Sequence, residues 1–232
     1  MTKIPTNPDE WVILEKYASK KNNVFKIEYG GNRYVVKRFS DEFKEGMERE
    51  KEVLTRCMES GVHVPRIIEY RHGSLVMEYI PGDDCKNSFL DRGVDGKKEL
   101  LAKVAGWLFD FHKAFEFKGR RGDSILANFI LSRRDIYGID FEESVEGDYL
   151  RDIGDLCTSV LRLKPAFTES RFSMVRYFLD EYFTRSGRDE VDINEQLVGS
   201  LLHYSRYSSM GDLMERWADK IQENGLASIL QR

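Results

Sequence analysis

The chain has 232 residues, 41% of them apolar and 33% charged, and 36 Lys and Arg stand against 40 Asp and Glu for a net charge of −4. That is enough chain for one large domain or two small lobes with real cores, and its charge gives no whole-chain reason to expect a nucleic-acid or anionic-membrane partner. No apolar run approaches the roughly 18 residues that a bilayer span needs, and MTKIPTNPDEW at the start has no signal-peptide core.

The first 80 residues read as strand-rich. Residues 11–14 are a candidate strand, and residues 24–29 and 33–39 are clearer ones, joined by the turn Gly30-Gly31-Asn32. A helix is expected from Asp41, a good N-cap, to about Gly61. Two short strands follow, at residues 66–70 and 75–80, around His72-Gly73-Ser74. Pro81-Gly82-Asp83-Asp84 then breaks the pattern and divides the expected lobes, 1–80 and 81–232. Beyond it Leu101, Val104, Ala105, Leu108, Phe111 and His112 follow a helical period. Further helices are expected at about 151–163, 170–185, 194–205 and 211–224. A small sheet with one helix, followed by a helical lobe, is an α+β arrangement. Cys57, Cys85 and Cys157 are scattered and form no CxxC, so they read as reduced core thiols of a cytoplasmic protein.

One hairpin interrupts the helical part. In "GDSILANFILSRRDIYGIDFEES" (122–144), two apolar runs flank a polar turn, and Asp123, Asn128 and Asp140 stand just outside them. With the turn centred on Arg134, Asn128 faces Asp140 at one cross-strand spacing, roughly 5 Å. An amide oxygen beside a carboxylate suits Mg²⁺, which keeps waters and takes its remaining ligands from phosphate. Asp123 enters the same end and could orient a hydroxyl nucleophile. Taken singly, each of these residues is also an ordinary strand-end turn former.

A second anomaly lies earlier. Lys37 sits on a strand between apolar residues, where an unpaired ammonium destabilises. Glu50 interrupts the stripe Met47, Leu54 and Cys57 of the first helix. Pairing solves both problems; two solvated charges are the plainer alternative.

"GDSILANFIL…YGIDFEES" resembles the catalytic and metal loops of the protein-kinase-like superfamily, most closely its small atypical members: aminoglycoside and choline phosphotransferases, lipopolysaccharide core kinases and RIO-like kinases. The resemblance implies a bilobal kinase-like fold and an ATP- and Mg²⁺-dependent phosphotransferase. Asp123 matches the catalytic Asp, and Asn128 and Asp140 match the metal ligands. Lys37 matches the phosphate-binding Lys and Glu50 its helix partner. "LVMEYIPG" resembles the hinge, with Met77 as gatekeeper and the backbone of Glu78 and Ile80 on the adenine edge. Two departures stand out. Arg120-Arg121-Gly122 replaces the usual His pattern before the catalytic Asp, and Glu142 replaces the Gly after Asp-Phe. The phosphate-covering loop, Tyr17 to Asn23, contains no glycine; Ser19 and its two lysines could bind phosphate, or form a solvated turn. His112 reads as a packing and hydrogen-bonding residue. Asp152, in "YLRDIGDL", resembles the Asp that braces the catalytic loop.

Only about ten residues separate Asp140 from the next helix, leaving little platform for a peptide. The expected acceptor is therefore a small-molecule hydroxyl, such as a sugar or amino alcohol, with Glu142, Glu143, Glu146 and Asp148 near it. A small protein Ser/Thr kinase and a nucleotide-binding pseudokinase scaffold are the alternatives.

Overall fold

The computed structural model describes residues 11–19, 21–71, 73–187 and 192–230. Most of the opening MTKIPTNPDEW stretch, Lys20 of the phosphate loop and His72 of the second turn lie outside them. Strands β1 (Val12–Tyr17), β2 (Asn23–Tyr29) and β3 (Asn32–Arg38) form an antiparallel meander. Gly30 and Gly31, both at positive φ, make the two-residue turn between β2 and β3, the backbone that matches the strand twist. Helix α1 (Lys44–Glu59) follows a 3₁₀ turn at Asp41–Phe43. Strands β4 (Ile67–Arg71) and β5 (Ser74–Glu78) complete a sheet of order β1-β2-β3-β5-β4.

The chain then passes through β6 (Asp83–Asp84) into α2 (Cys85–Leu90), where Asp84 caps the helix by accepting from Asn87 N at 2.8 Å. Helix α3 (Val94–Ala114) and β7 (Gly119–Arg120) lead to the hairpin β8 (Phe129–Ser132) and β9 (Asp135–Gly138). Strand β10 (Val145–Glu146) pairs back onto β7. The remainder is helical: α4 (Leu150–Leu161), α5 (Glu169–Ser186), α6 (Asn194–Ser205), α7 (Gly211–Asn224) and α8 (Leu226–Leu230). The chain is α+β, as its patterning predicts. The short helices α2 and α8 carry too few turns to show a period.

A continuous apolar core runs from Met47 and Leu54 of α1 through Leu101 and Leu108 of α3 to Leu156, Phe178, Leu201 and Ile221 of the later helices. Each such side chain stabilises the fold by about 1.5–3 kcal/mol when buried. The three cysteines are free and buried. Helices α4 and α6 pack closely where Gly154 meets the backbone of Gln196; a Cβ at 154 would lie 2.6 Å from Gln196 O. Among the described residues, no helix is long and apolar enough to cross a membrane.

Candidate active site

Strand alternation turns Lys37 inward from β3, and helical periodicity turns Glu50 inward from α1, so each charge leaves water. Lys37 is 5% exposed and Glu50 1%. They meet at 2.8 Å, and Glu50 also accepts from the Phe141 amide at 3.3 Å. The ammonium reaches two more carboxylates, Asp140 Oδ1 at 2.5 Å and Glu142 Oε2 at 3.0 Å. Burial pulls its pKa down, but the charges of Glu50, Asp140 and Glu142 outweigh burial and hold it above the ordinary lysine range.

The hairpin register differs by one from the sequence expectation. Phe129 pairs with Gly138 and Ser132 with Asp135, so the turn is the two residues Arg133-Arg134. Asn128 therefore stands opposite Ile139, whose amide donates to Asn128 O at 3.0 Å. Asp140 lies one residue beyond the ladder, and its φ of 65° turns it toward Lys37. Asn128 ends a 3₁₀ turn (Leu126–Asn128) and donates through Nδ2 to both Asp123 O and Asp123 Oδ2, each at 3.0 Å. That orientation turns Asn128 Oδ1 the other way.

Arg121 joins these loops. Its guanidinium is fully buried between Phe129 and Phe141. It donates to the carbonyls of Gly122 (3.2 Å), Asp123 (2.8 Å), Asn128 (3.2 Å) and Ile139. Burial lowers its pKa. Arg121 occupies the position where the sequence pattern lacks its usual His, and the signal for its role is that absence.

Asp152 of α4 binds the other side of the same loop. It accepts from Arg121 N at 2.5 Å and Gly122 N at 3.0 Å, and His112 Nε2 lies 3.0 Å from it. His112 Nδ1 in turn meets Tyr182 Oη at 2.7 Å. Gly122 has φ of 70°, and a Cβ there would lie 2.6 Å from Glu143 O, so this position admits only glycine without strain.

The glycine-free loop is tied to the turn that follows Asp140. Asn22 donates to Glu142 Oε2, and Lys21 pairs with Glu143. Ser19 accepts from Asn22 N at 3.2 Å. Glu142 and Glu143 thus face the β1–β2 loop, where Asn22 and Lys21 hold them, and Glu142 also meets Lys37. Asp148 accepts from Leu150 N and Gln196 Nε2, and Glu146 is exposed. Met77 is buried on β5 opposite Val35, Ile80 is buried just beyond, and the Glu78 amide donates to Arg66 O at 2.9 Å. Among the described residues, Ser19, Met77, Glu78 and Ile80 make no hydrogen bond or ion pair with Lys37, Glu50, Asp123, Asn128 or Asp140. Those five fall into two bonded groups, Lys37–Glu50–Asp140 and Asp123–Asn128; Arg121 donates to the carbonyls of both members of the second and to that of Ile139, the residue before Asp140.

Two further residues lie at this site with no signal in the sequence. Tyr204 of α6 donates to Asp123 Oδ1 at 2.7 Å. Asp155 of α4 accepts from Ser200 Oγ at 2.7 Å, and its pKa is pushed up to about 6, first by burial and then by the charges of Asp152 and Asp123, against the Ser200 bond.

The donor set fits a divalent cation. Glu50, Asp140 and Glu142 each offer a carboxylate oxygen within 4.8 Å of the others. Lys37 already holds all three, Glu50 and Glu142 are largely buried against it, and half-exposed Asp140 is the carboxylate most open to a further ligand. Hard oxygens of this kind match Mg²⁺ or Ca²⁺.

Residues 14–124 match the phosphotransferase enzyme family. Over 100 residues the chain is 31% identical to the KEOPS complex subunit Bud32 of Pyrococcus abyssi, a match spanning 42% of this chain and 44% of that relative, less than half its length. In three dimensions it is similar to amicoumacin kinase solved with AMP-PNP and Ca²⁺ (TM-score 0.70, 13% identity, covering 95% of this chain and 90% of that one). It is also similar to an aminoglycoside-3′-phosphotransferase of type VIII (0.63, 17%, 81% and 90%) and to ethanolamine kinase of Plasmodium vivax (0.56, 13%, 86% and 76%). The sequence match, over somewhat less than half of the chain, is to a phosphotransferase family, and the fold is the one these kinases share.

Proposed function

We propose that this chain is an ATP- and Mg²⁺-dependent phosphotransferase that moves the γ-phosphoryl group to a hydroxyl of a small molecule, such as a sugar or amino alcohol. The observation that carries this reading is the ion-paired group Lys37–Glu50–Asp140 beside the hydrogen-bonded pair Asp123–Asn128, with Arg121 donating to the carbonyls of Asp123, Asn128 and Ile139, the residue before Asp140. Phosphoryl transfer needs positioning and charge neutralisation more than covalent chemistry. Lys37, held by Glu50, would bind the α- and β-phosphates. Asp140 and Asn128 Oδ1 would hold Mg²⁺, which supplies charge neutralisation at the phosphates. Asp123 would orient the acceptor hydroxyl and take its proton. Met77 would close the adenine pocket, with the backbone of Glu78 and Ile80 on the adenine edge and Ser19 beside the phosphates. The lobes would divide at residue 80.

The small-molecule acceptor is supported by the short link after Asp140. Strand β10 pairs with β7 and α4 begins at Leu150, so no long segment is left to dock a peptide. The similar kinases named above for aminoglycosides, amicoumacin and ethanolamine point the same way. A library of sugars and amino alcohols incubated with the chain, ATP and Mg²⁺ tests this by the mass gain of one phosphoryl group. The Bud32 match favours a second reading, a small protein kinase. Robust modification of generic protein substrates, with the library untouched, would establish that reading in place of the first. ATP left unconsumed under every condition would instead indicate a nucleotide-binding scaffold.

A further inference from the structure

Tyr204 belongs to the last helical third of the chain, where no motif points to function, yet its hydroxyl lies 2.7 Å from Asp123 Oδ1. A catalytic base takes its proton from a group within about 2.6–3.2 Å. Asp123 Oδ2 is engaged by the amide of Asn128, and Oδ1 by Tyr204. Of the two partners, Tyr204 is the one that carries a hydroxyl. Its ring is fixed from three directions. The Arg162 guanidinium lies over it at 5.1 Å, His203 meets it edge-on at 5.0 Å, and the close seat of α6 on Gly154 sets the reach of the helix.

The side chain also has the chemistry of an alcohol acceptor. Burial, then the charges of Asp155 and Asp123, hold the phenol far above its ordinary pKa. It therefore keeps its proton until a bond to phosphorus forms, as a sugar hydroxyl does. Tyr204 Oη makes with Asp123 the hydrogen bond that the proposed mechanism assigns to the acceptor hydroxyl.

We propose that Tyr204 is an acceptor built into the chain: with ATP and Mg²⁺ bound and no other hydroxyl in the site, it takes the γ-phosphoryl group from its own active site. This rests on the phosphotransferase reading above. In the step, Tyr204 Oη bonds to the γ-phosphorus while the bond from that phosphorus to the β–γ bridging oxygen breaks. ADP leaves with that electron pair, and the phenolic proton passes to Asp123 Oδ1 and then to solvent. Arg162, over the ring, has a buried Nε with no hydrogen-bond partner, a donor ready for the new phosphate oxygens. The modified side chain fills the acceptor's place, so self-modification and acceptor turnover compete.

The test uses the whole chain with ATP and Mg²⁺ alone. Intact mass and fragment mapping follow the label, while calorimetry and ADP release are measured on the same samples. The expected result is up to one phosphoryl group per chain, mapped to Tyr204, at a first-order rate that stays constant over a tenfold range of chain concentration. The label is absent from Tyr204→Phe and Asp123→Asn. ATP binding and ADP release without phosphotyrosine at 204, or with label only elsewhere, overturn the proposal and leave the phosphotransferase reading standing. A rate that rises with chain concentration also overturns it, because transfer then runs between molecules. Failure to bind ATP at all overturns both.

Discussion

Lys37 on β3 and Glu50 on α1 meet at 2.8 Å with both side chains almost fully removed from water. Removing Lys37 leaves the buried Glu50 without its cation, which costs about 3–5 kcal/mol, whereas removing Glu50 leaves Lys37 still held by Asp140 and Glu142 and costs less. The single variants Lys37→Met and Glu50→Gln should therefore each be destabilised, and the double variant should recover part of the loss. A double-mutant cycle by denaturant unfolding should give a coupling of roughly 0.5–3 kcal/mol; additive losses would mean that the two side chains do not depend on each other. Folded Lys37 holds its proton more tightly than an unfolded lysine, whose pKa is about 10.4. Lys37's own contribution is thus complete below that pH and is lost as pH rises through the higher folded value, while burial raises the pKa of Glu50, so the pair also weakens in acid as Glu50 takes up a proton.

Asp123→Asn should bind ATP and Mg²⁺ as wild type does and lose roughly 10²–10⁴-fold in turnover, the usual contribution of a positioned base. The added amide hydrogens oppose the donors Asn128 Nδ2 or Tyr204 Oη, so a modest drop in melting temperature accompanies the loss. Wild-type turnover in the purified variant would remove Asp123 from the acceptor side.

Asp140→Ala should abolish the Mg²⁺ dependence of nucleotide binding, because the neutral amide of Asn128 alone is a weak ligand. Calorimetry with ATP, with and without Mg²⁺, reads this directly. An unchanged Mg²⁺ effect would place the cation elsewhere.

Arg121→Met keeps the aliphatic stem and strips the guanidinium from the carbonyls of Asp123, Asn128 and Ile139. The loss of one buried charge with several partners should destabilise by about 3–5 kcal/mol, and Arg121→Lys, with one compact donor group, should not restore it. Thermal melting decides; a variant that melts with wild type would show that the two loops hold their places without this residue.

Asp155 sets a pH dependence. Its folded pKa of about 6 lies above the ordinary aspartate value of 3.8. Its contribution is therefore complete below the unfolded pKa and is lost as pH rises from about 4 through 6. Asp155→Asn keeps an acceptor for Ser200 and removes that loss. The variant should be more stable than wild type at pH 7, by at most about 3 kcal/mol, with the difference vanishing near pH 4. Parallel melts across that range check it; a constant difference would assign the effect to packing.

The parts of the site that the sequence discloses are those where a local rule is broken. Lys37 among apolar strand residues and Glu50 inside an apolar helical stripe are anomalies that pairing explains, and both lie within short, strongly periodic elements. The hairpin is legible for the same reason, but its register is not. Arg133 adopts φ of 55° without the Gly or Asn that marks such turns, so the centre reads half a residue late and Asn128 is set opposite the wrong partner. Arg121 escapes because an arginine in a charged run reads as solvated, and its burial depends on Phe129 and Phe141 closing over it. Tyr204 escapes because its partner lies 81 residues away, and no local pattern encodes a contact between distant helices.

Gly154 gives the molecule a seam where one methyl group matters. With 2.6 Å between a hypothetical Cβ and Gln196 O, any larger side chain forces α4 and α6 to shift against each other at this point, and α6 is the helix that carries Tyr204. If the proposed site is right, its Tyr204 side can thus be adjusted from a position that bonds to none of Lys37, Glu50, Asp123, Asn128 or Asp140. Under the proposed function, changes of acceptor would have a route through helix packing that leaves Lys37, Glu50 and Asp140 untouched. A search for altered substrate preference has its leverage along the α4–α6 contact.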